Sequence, residues 1–186
     1  MALLLWLPAG PGSTAVVEQI DRAKLRGVQA GFVLNFMKFA KWPDERRGGT
    51  LNVLVVGDTP LADTIAQTTR RHRVRGHTIT VASMAWPPQD ASTEARDAWL
   101  DAVSGHEVVL AANSTDTDIK RLAEGLRTRD AATMLIADRP DAMRAGVMLA
   151  FGVRDGRVVF HASRGAVRDS PLRLRAQRLR LAELHD

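Results

Sequence analysis

The residues able to do chemistry are few in kind. The 186-residue chain has no cysteine, and its five histidines, His72, His77, His106, His161 and His185, fall at no spacing that would hold a metal. Without cysteine there is no disulfide, thiolate-bound zinc, iron–sulfur cluster or thiol nucleophile. No nucleophile elbow accompanies a Ser–His–Asp set. Asp97, Asp101, Asp116 and Asp118 stand among helix-forming residues and read as solvated carboxylates. The pattern calls for no enzyme, no metal and no cofactor.

What remains is polar residues that follow apolar runs, and arginine. Gly57, Asp58, Ser83, Asn113, Ser114, Asp138 and Arg139 each come directly after a strand-like segment. In a parallel sheet ligands sit beyond the carboxyl ends of the strands, so Asp58, Asn113, Asp138 and Arg139 are the candidate ligand-binding residues. The competing reading makes each a helix cap or turn former. Gly57-Asp58 lacks the glycine spacing and the Lys-Ser/Thr pair of a phosphate loop. Arginines cluster at Arg70, Arg71, Arg73 and Arg75 beside His72, and again at Arg164, Arg168, Arg173, Arg175, Arg178 and Arg180. Either set can be a solvated surface or a contact for an acidic partner or anionic lipid. No nucleic-acid recognition motif accompanies them.

The elements that position these residues follow from periodicity. Residues 16 to 40 predict one long helix, with Phe32, Phe36 and Phe39 on its apolar stripe, Asn35 as the polar member, and Trp42-Pro43 as the stop. The aromatic set Phe32, Phe36, Phe39 and Trp42 reads as core for the sheet or as a partner surface. Asn35, if buried in that stripe, needs hydrogen-bond partners, so it reads as a clasp to backbone or as a rim contact. Strands are predicted at 51–56, 77–82, 107–112 and 131–137, with helices after 58 and over 92–103 and 116–127. This alternation predicts an α/β fold, a mostly parallel sheet flanked by helices on both faces. Residues 147–153 and 157–162 flank Arg154-Asp155-Gly156, a hairpin signal, so the sheet should end in an antiparallel pair. Leu172 to Arg175 alternates with period two, and Gln177 to Leu184 resumes helical spacing.

Bulk properties agree with one globular domain over residues 16–186. Of its residues 45% are hydrophobic and 25% charged, and the formal net charge is +5 from 26 basic and 21 acidic residues. Residues 1–15 open with the apolar run Ala2 to Leu7 and pass into small residues, which reads as the remnant of an export signal or as a tail. No stretch approaches the roughly 20 apolar residues of a membrane span.

The segment Val28 to Pro43, VQAGFVLNFMKFAKWP, resembles the opening signature of YfiR-like proteins. The same order continues through Gly57-Asp58-Thr59-Pro60, Val74-Arg75-Gly76-His77, Gly146 to Phe151, Asp155 to Phe160, and a closing leucine segment from Leu174 to Ala182. Ala145, Ser163 and Arg175 depart from residues usual in the family, and the cysteines of some members are absent. The resemblance spans about residues 20–182. It implies a periplasmic protein that represses a membrane-bound diguanylate cyclase, or a similar sensor protein, by binding its periplasmic region, and so lowers cyclic di-GMP and biofilm formation. Membrane contact would then be through the partner alone, with no nucleic acid involved and a homodimer left open. The alternative reading is a periplasmic small-ligand sensor or carrier that uses the strand exits.

Overall fold

A computed structural model describes residues 12–43, 49–155, 157–174 and 183–185. The predicted signal segment up to residue 11 and the arginines at 175, 178 and 180 lie outside the described residues. Helix α1 runs Gly12–Phe39 and passes into the two-residue strand β1, Ala40–Lys41. Strand β2, Thr50–Val56, leads through the cap Asp58 into α2, Thr59–Thr69, with Pro60 in its first turn where its missing N–H costs nothing. Then follow β3 (Thr78–Met84), α3 (Thr93–Ser104), β4 (Val108–Ala111), α4 (Asp116–Thr128) and β5 (Met134–Ala137). A 3-10 turn, Pro140–Ala145, connects to the hairpin β6 (Leu149–Arg154) and β7 (Arg157–Ser163). A short helix α5, Arg164–Arg168, and strands β8 (Arg173–Leu174) and β9 (Glu183–His185) close the order.

The main sheet has the order β3-β2-β4-β5-β6-β7-β9. All neighbours from β3 to β6 are parallel, β6 and β7 are antiparallel, and β9 adds in parallel beside β7. The fold is therefore the expected α/β type. One more strand lies beyond the hairpin, because the helix expected over 177–184 is contradicted at its end. Residues 177–182 are outside the described set, but Glu183 to His185 are extended and pair with His161 to Ser163. Backbone hydrogen bonding to the open side of β7 outweighs the helical spacing there.

Alternation along each strand splits the core in two. Leu51, Val53, Val55, Val108, Leu110, Met134, Ile136, Leu149 and Phe151 face α1 and α2, whereas Leu54, Val56, Val109, Ala111, Leu135, Ala137 and Ala150 face α3 and α4. On α1 the residues Ala30, Val33, Leu34 and Met37 recur at three- and four-residue spacing and are buried. Phe32 and Phe36 stack at 6.0 Å and meet the cross-strand pair Phe151 and Phe160, the closest contact being Phe36 to Phe160 at 5.1 Å, edge to face. Phe36 and Trp42 are buried in the core and Phe32 packs half-buried against it, whereas Phe39 is half-buried and outside both core clusters. Asn35 is exposed on the outer side of the helix, and the clasp expected of it is absent.

The clasp comes from Trp42 instead. Its indole N–H donates to the Glu107 carbonyl at 3.2 Å, and the buried Glu107 carboxylate accepts from the Asn52 backbone at 2.7 Å and from its side chain at 3.1 Å. This network ties the end of α1 to the amino ends of β2 and β4. Truncating Phe36 to alanine removes a buried ring in contact with Phe32, Phe151 and Phe160, and should cost about 3–5 kcal/mol. Urea denaturation measures it; a loss under about 1 kcal/mol would mean that α1 is not seated on β6 and β7.

Candidate functional site

The strand order places the point where connections reverse between β2 and β4. From β2 the chain crosses by α2 on one face to β3, then returns by α3 on the other face to β4. In sheets of this kind ligands enter the crevice at that point. Here the crevice is filled by the protein itself. The Asn113 side chain donates across it to the Gly57 carbonyl at 2.9 Å, and Trp86, from the loop after β3, reaches over to donate its indole N–H to the Ala112 carbonyl at 2.8 Å. Gly57 has φ +86°, and a Cβ there would lie 2.2 Å from the Ala112 oxygen and 2.7 Å from the Trp86 nitrogen. Only glycine allows so close an approach.

The candidates at this edge are brought together, each with a local task. Asp58 caps α2 by accepting from the Leu61 N–H at 3.0 Å, and Arg26 of α1 lies 3.3 Å from its other oxygen. Asp138 accepts from the Asn113 N–H at 3.0 Å and holds that residue in its left-handed conformation, φ +50°. Arg139 pairs with Asp116 and Asp141. Ser83 is exposed and only 3.5 Å from the Thr59 hydroxyl. Thr115 and Asp118 form a capping box at the start of α4. Burial raises the Asp138 carboxyl above its ordinary value, against the lowering effects of the Asn113 and its own backbone N–H groups and of Arg139; nearby Asp58 adds to the rise. Ser114 Oγ, Asp138 Oδ1 and Arg139 Nε are buried without a hydrogen-bond partner, so the unused polar capacity of this edge lies on the α4 side.

Among the described residues no group of three or more metal-ligating side chains assembles. Two cavities lie beside the sheet, the first sharing Trp86 with the crevice, and sequence reasoning did not find them. One, about 350 Å³, is a groove between α3 and α4. The Trp86 and Trp99 rings lie there 5.6 Å apart, tilted by 31°, with Trp99 donating to the Ala85 carbonyl at 3.0 Å. The rim holds Arg96, Arg121 and Arg129, the last bonded to Asp101 at 2.7 Å. The helices approach closely because α4 presents Gly125 to Leu100; a Cβ would sit 2.7 Å from that leucine. The other, about 430 Å³, lies between α4, the 3-10 turn and α5. Two tryptophans spaced thirteen residues apart carry no periodic signal, which is why the first groove was illegible.

The family model described as YfiR/HmsC-like matches residues 26–183, from the last turns of α1 to β9. The chain belongs to the YfiR/HmsC-like family. This is a regulatory family and not a catalytic one. A search of curated proteins returns no match. No helix among the described residues of this YfiR-like chain is long and apolar enough to cross a membrane.

Two outcomes test the edge. Gly57→Ala should lose more than the roughly 1–2 kcal/mol of a left-handed backbone alone, because the new methyl displaces the Trp86 bond; an unchanged denaturation midpoint would show that the crevice is open. For Asp138, a carboxyl whose folded pKa is raised binds its proton more tightly in the folded state than in the unfolded chain. Its contribution is favourable below the unfolded value and is lost as pH rises through the folded value. The stability of the wild type relative to Asp138→Asn should therefore fall with rising pH across the carboxylate range. Urea midpoints taken at stepped pH check the slope, and a rise would refute burial as the dominant cause.

Proposed function

We propose that this protein is a periplasmic regulator that restrains a membrane-bound diguanylate cyclase, or a signalling protein of the same type, by occupying its periplasmic sensor region. The family match over residues 26–183 carries this reading. The filled crevice between β2 and β4 supports it from the geometry: a sheet whose strand order would admit a nucleotide spends that position on its own indole and amide, leaving the outer surface for recognition. Regulation by occupancy needs unequal affinity for two states of the target. Driving the target from almost wholly active to almost wholly silent takes a preference of about 10⁴-fold. Asp58, Asn113, Asp138 and Arg139 act in this reading as supports for the loops between strands and helices. Deleting the gene should raise cyclic di-GMP and surface attachment; levels that stay level under several envelope stresses would remove the support.

A second reading, a small-ligand sensor in the same compartment, is favoured by the groove between α3 and α4. Its volume of about 350 Å³ is at the lower end for ligand pockets, and it pairs an aromatic floor with a charged rim. A thermal-shift screen of small periplasmic metabolites against the wild type and Trp99→Ala separates the two readings. A ligand at 100 times its dissociation constant should stabilise the wild type by about 2.7 kcal/mol, and the variant much less.

A further inference from the structure

Charge on this chain is divided between the two ends of the sheet. The pole of strand exits, where α3 and α4 begin, carries the exposed carboxylates Asp90, Glu94, Asp116 and Asp141. The other pole is basic. Arg26 of α1 meets Asp58 at the start of α2, and Trp42 is bonded at the start of β4, so α1 and α2 run side by side and both finish where the parallel strands begin. From there residues 70–77, RRHRVRGH, lead into β3, and the sequence has no carboxylate between Asp63 and Asp90. Arg70, Arg71, Arg73 and Arg75 are exposed, with no ion pair among the described residues. Residues 44–48, outside the described set, add two carboxylates and two arginines, and so no net charge.

The arginine loop is stiff. Val74 is buried and exchanges backbone hydrogen bonds of 3.1 and 2.9 Å with His77, which leaves Arg75 and Gly76 at the tip of a tight turn with φ +52° and +86°. Positive φ at both places is the requirement of a type I′ turn, where Asn, Asp or Gly is the rule. Arg75 holds that strained backbone while its guanidinium has no partner among the described residues. Strain at a residue whose side chain does nothing locally points to a task outside the chain. At the same pole β1 pairs with β8 so that Lys41 stands directly opposite Arg173, both exposed and neither in an ion pair among the described residues. Like charges so placed destabilise a strand pair, and an external anion relieves them. Attraction of cations to helix carbonyl ends accounts for Lys38 and Arg70, and not for Arg71, Arg75, Lys41 or Arg173.

We propose that this basic pole is a docking surface for anionic lipid headgroups, on which the protein lies with its strand starts toward the bilayer. The choice of occupant follows from what the pole lacks. Protein interfaces are anchored by buried aromatic residues, and single-stranded nucleic acid is held on aromatic platforms. Val28 and Val153 are the only exposed large hydrophobic residues among those described, and both lie toward the acidic pole, the first two residues from Arg26 and the second beside the β6–β7 turn. With no apolar side chain to insert, contact is with the headgroups alone and is Coulombic. The opposite sign of the far pole fixes orientation as well as attraction, and it leaves the strand exits facing away from the lipid. The surface stands apart from the regulatory reading above, since a vesicle without any protein partner tests it alone.

The full chain should co-sediment with vesicles of mixed phosphatidylglycerol and phosphatidylcholine and not with phosphatidylcholine alone. Binding should fall steeply as salt rises from about 0.05 to about 0.5 M. Each basic side chain near such a surface strengthens binding about fivefold, so the double variant Arg71→Gln, Arg75→Gly should bind about 25-fold more weakly. Glycine suits the positive φ at position 75, so the urea midpoint should not fall and lost binding reports the charge. Arg157→Gln, exposed at the β6–β7 turn on the far pole, should bind as the wild type does. Equal binding to phosphatidylcholine overturns the proposal, and so does unchanged binding by the double variant. Tighter binding to a DNA duplex than to the anionic vesicles, lost in the same variant, overturns it in favour of nucleic acid.

Discussion

The docking of α1 on the last hairpin is the constraint on which the rest depends. Strands β2, β4, β5 and β6 present an apolar surface on both sides, and α2 alone cannot cover the side that carries Val53, Leu110, Ile136, Leu149 and Phe151. The long amino-terminal helix closes it, through Phe32 and Phe36 against Phe151 and Phe160, and through Trp42 on the Glu107 carbonyl. The first contact is dispersion and apolar burial; the second is a directed hydrogen bond that fixes where the helix ends. A small sheet of β1 with β8, pairing Ala40 with Leu174, fastens the same corner to the carboxyl-terminal segment.

The seam between β2 and β4 is held at both ends by side chains and not only by its ladder. At the amino end, buried Glu107 accepts from Asn52, which in turn accepts from the Thr80 hydroxyl at 2.7 Å, linking β4, β2 and β3 in one chain of bonds. At the carboxyl end, Trp86 and Asn113 bridge the loops. A parallel seam at a reversal of strand order is where such sheets usually part to receive a ligand. Pinning it twice makes the sheet a stiff platform, with adaptable features displaced to grooves and edges.

Much of the fold was legible because burial on two sides demands long apolar runs. The strand over 51–56 and the helix over 116–127 were found within two residues of their observed limits for that reason. Ala131 to Thr133 are buried but lie before the strand, since a buried connection and a strand start look alike in composition. The strand exits were recognisable as polar residues at breaks in apolar runs, and Asp58 does cap its helix. The stopper was not, because Trp86 sits in a proline-rich loop with no periodicity to mark its direction. Asn35 misled for a related reason: a position three residues from Phe32 can fall at the margin of a helical stripe, and only packing against a particular sheet decides which side it takes. Glu107 ran the other way, a charged residue whose burial follows from Asn52 on a strand distant in sequence.

The seating of α1 also orders events in time. A chain that emerges amino end first completes this helix early, yet Phe151 and Phe160, the rings that receive it, are among the last core residues to appear. Contacts of such wide sequence separation slow folding, because the loop between them must be closed before they return any energy. Until the hairpin emerges, the Phe32 and Phe36 face of α1 lacks its final seat, although β2 and α2, which share its core, follow early, and that face is exposed to aggregation for the interval. A holding chaperone acting on residues 28–42 would matter more to this protein than its final stability suggests.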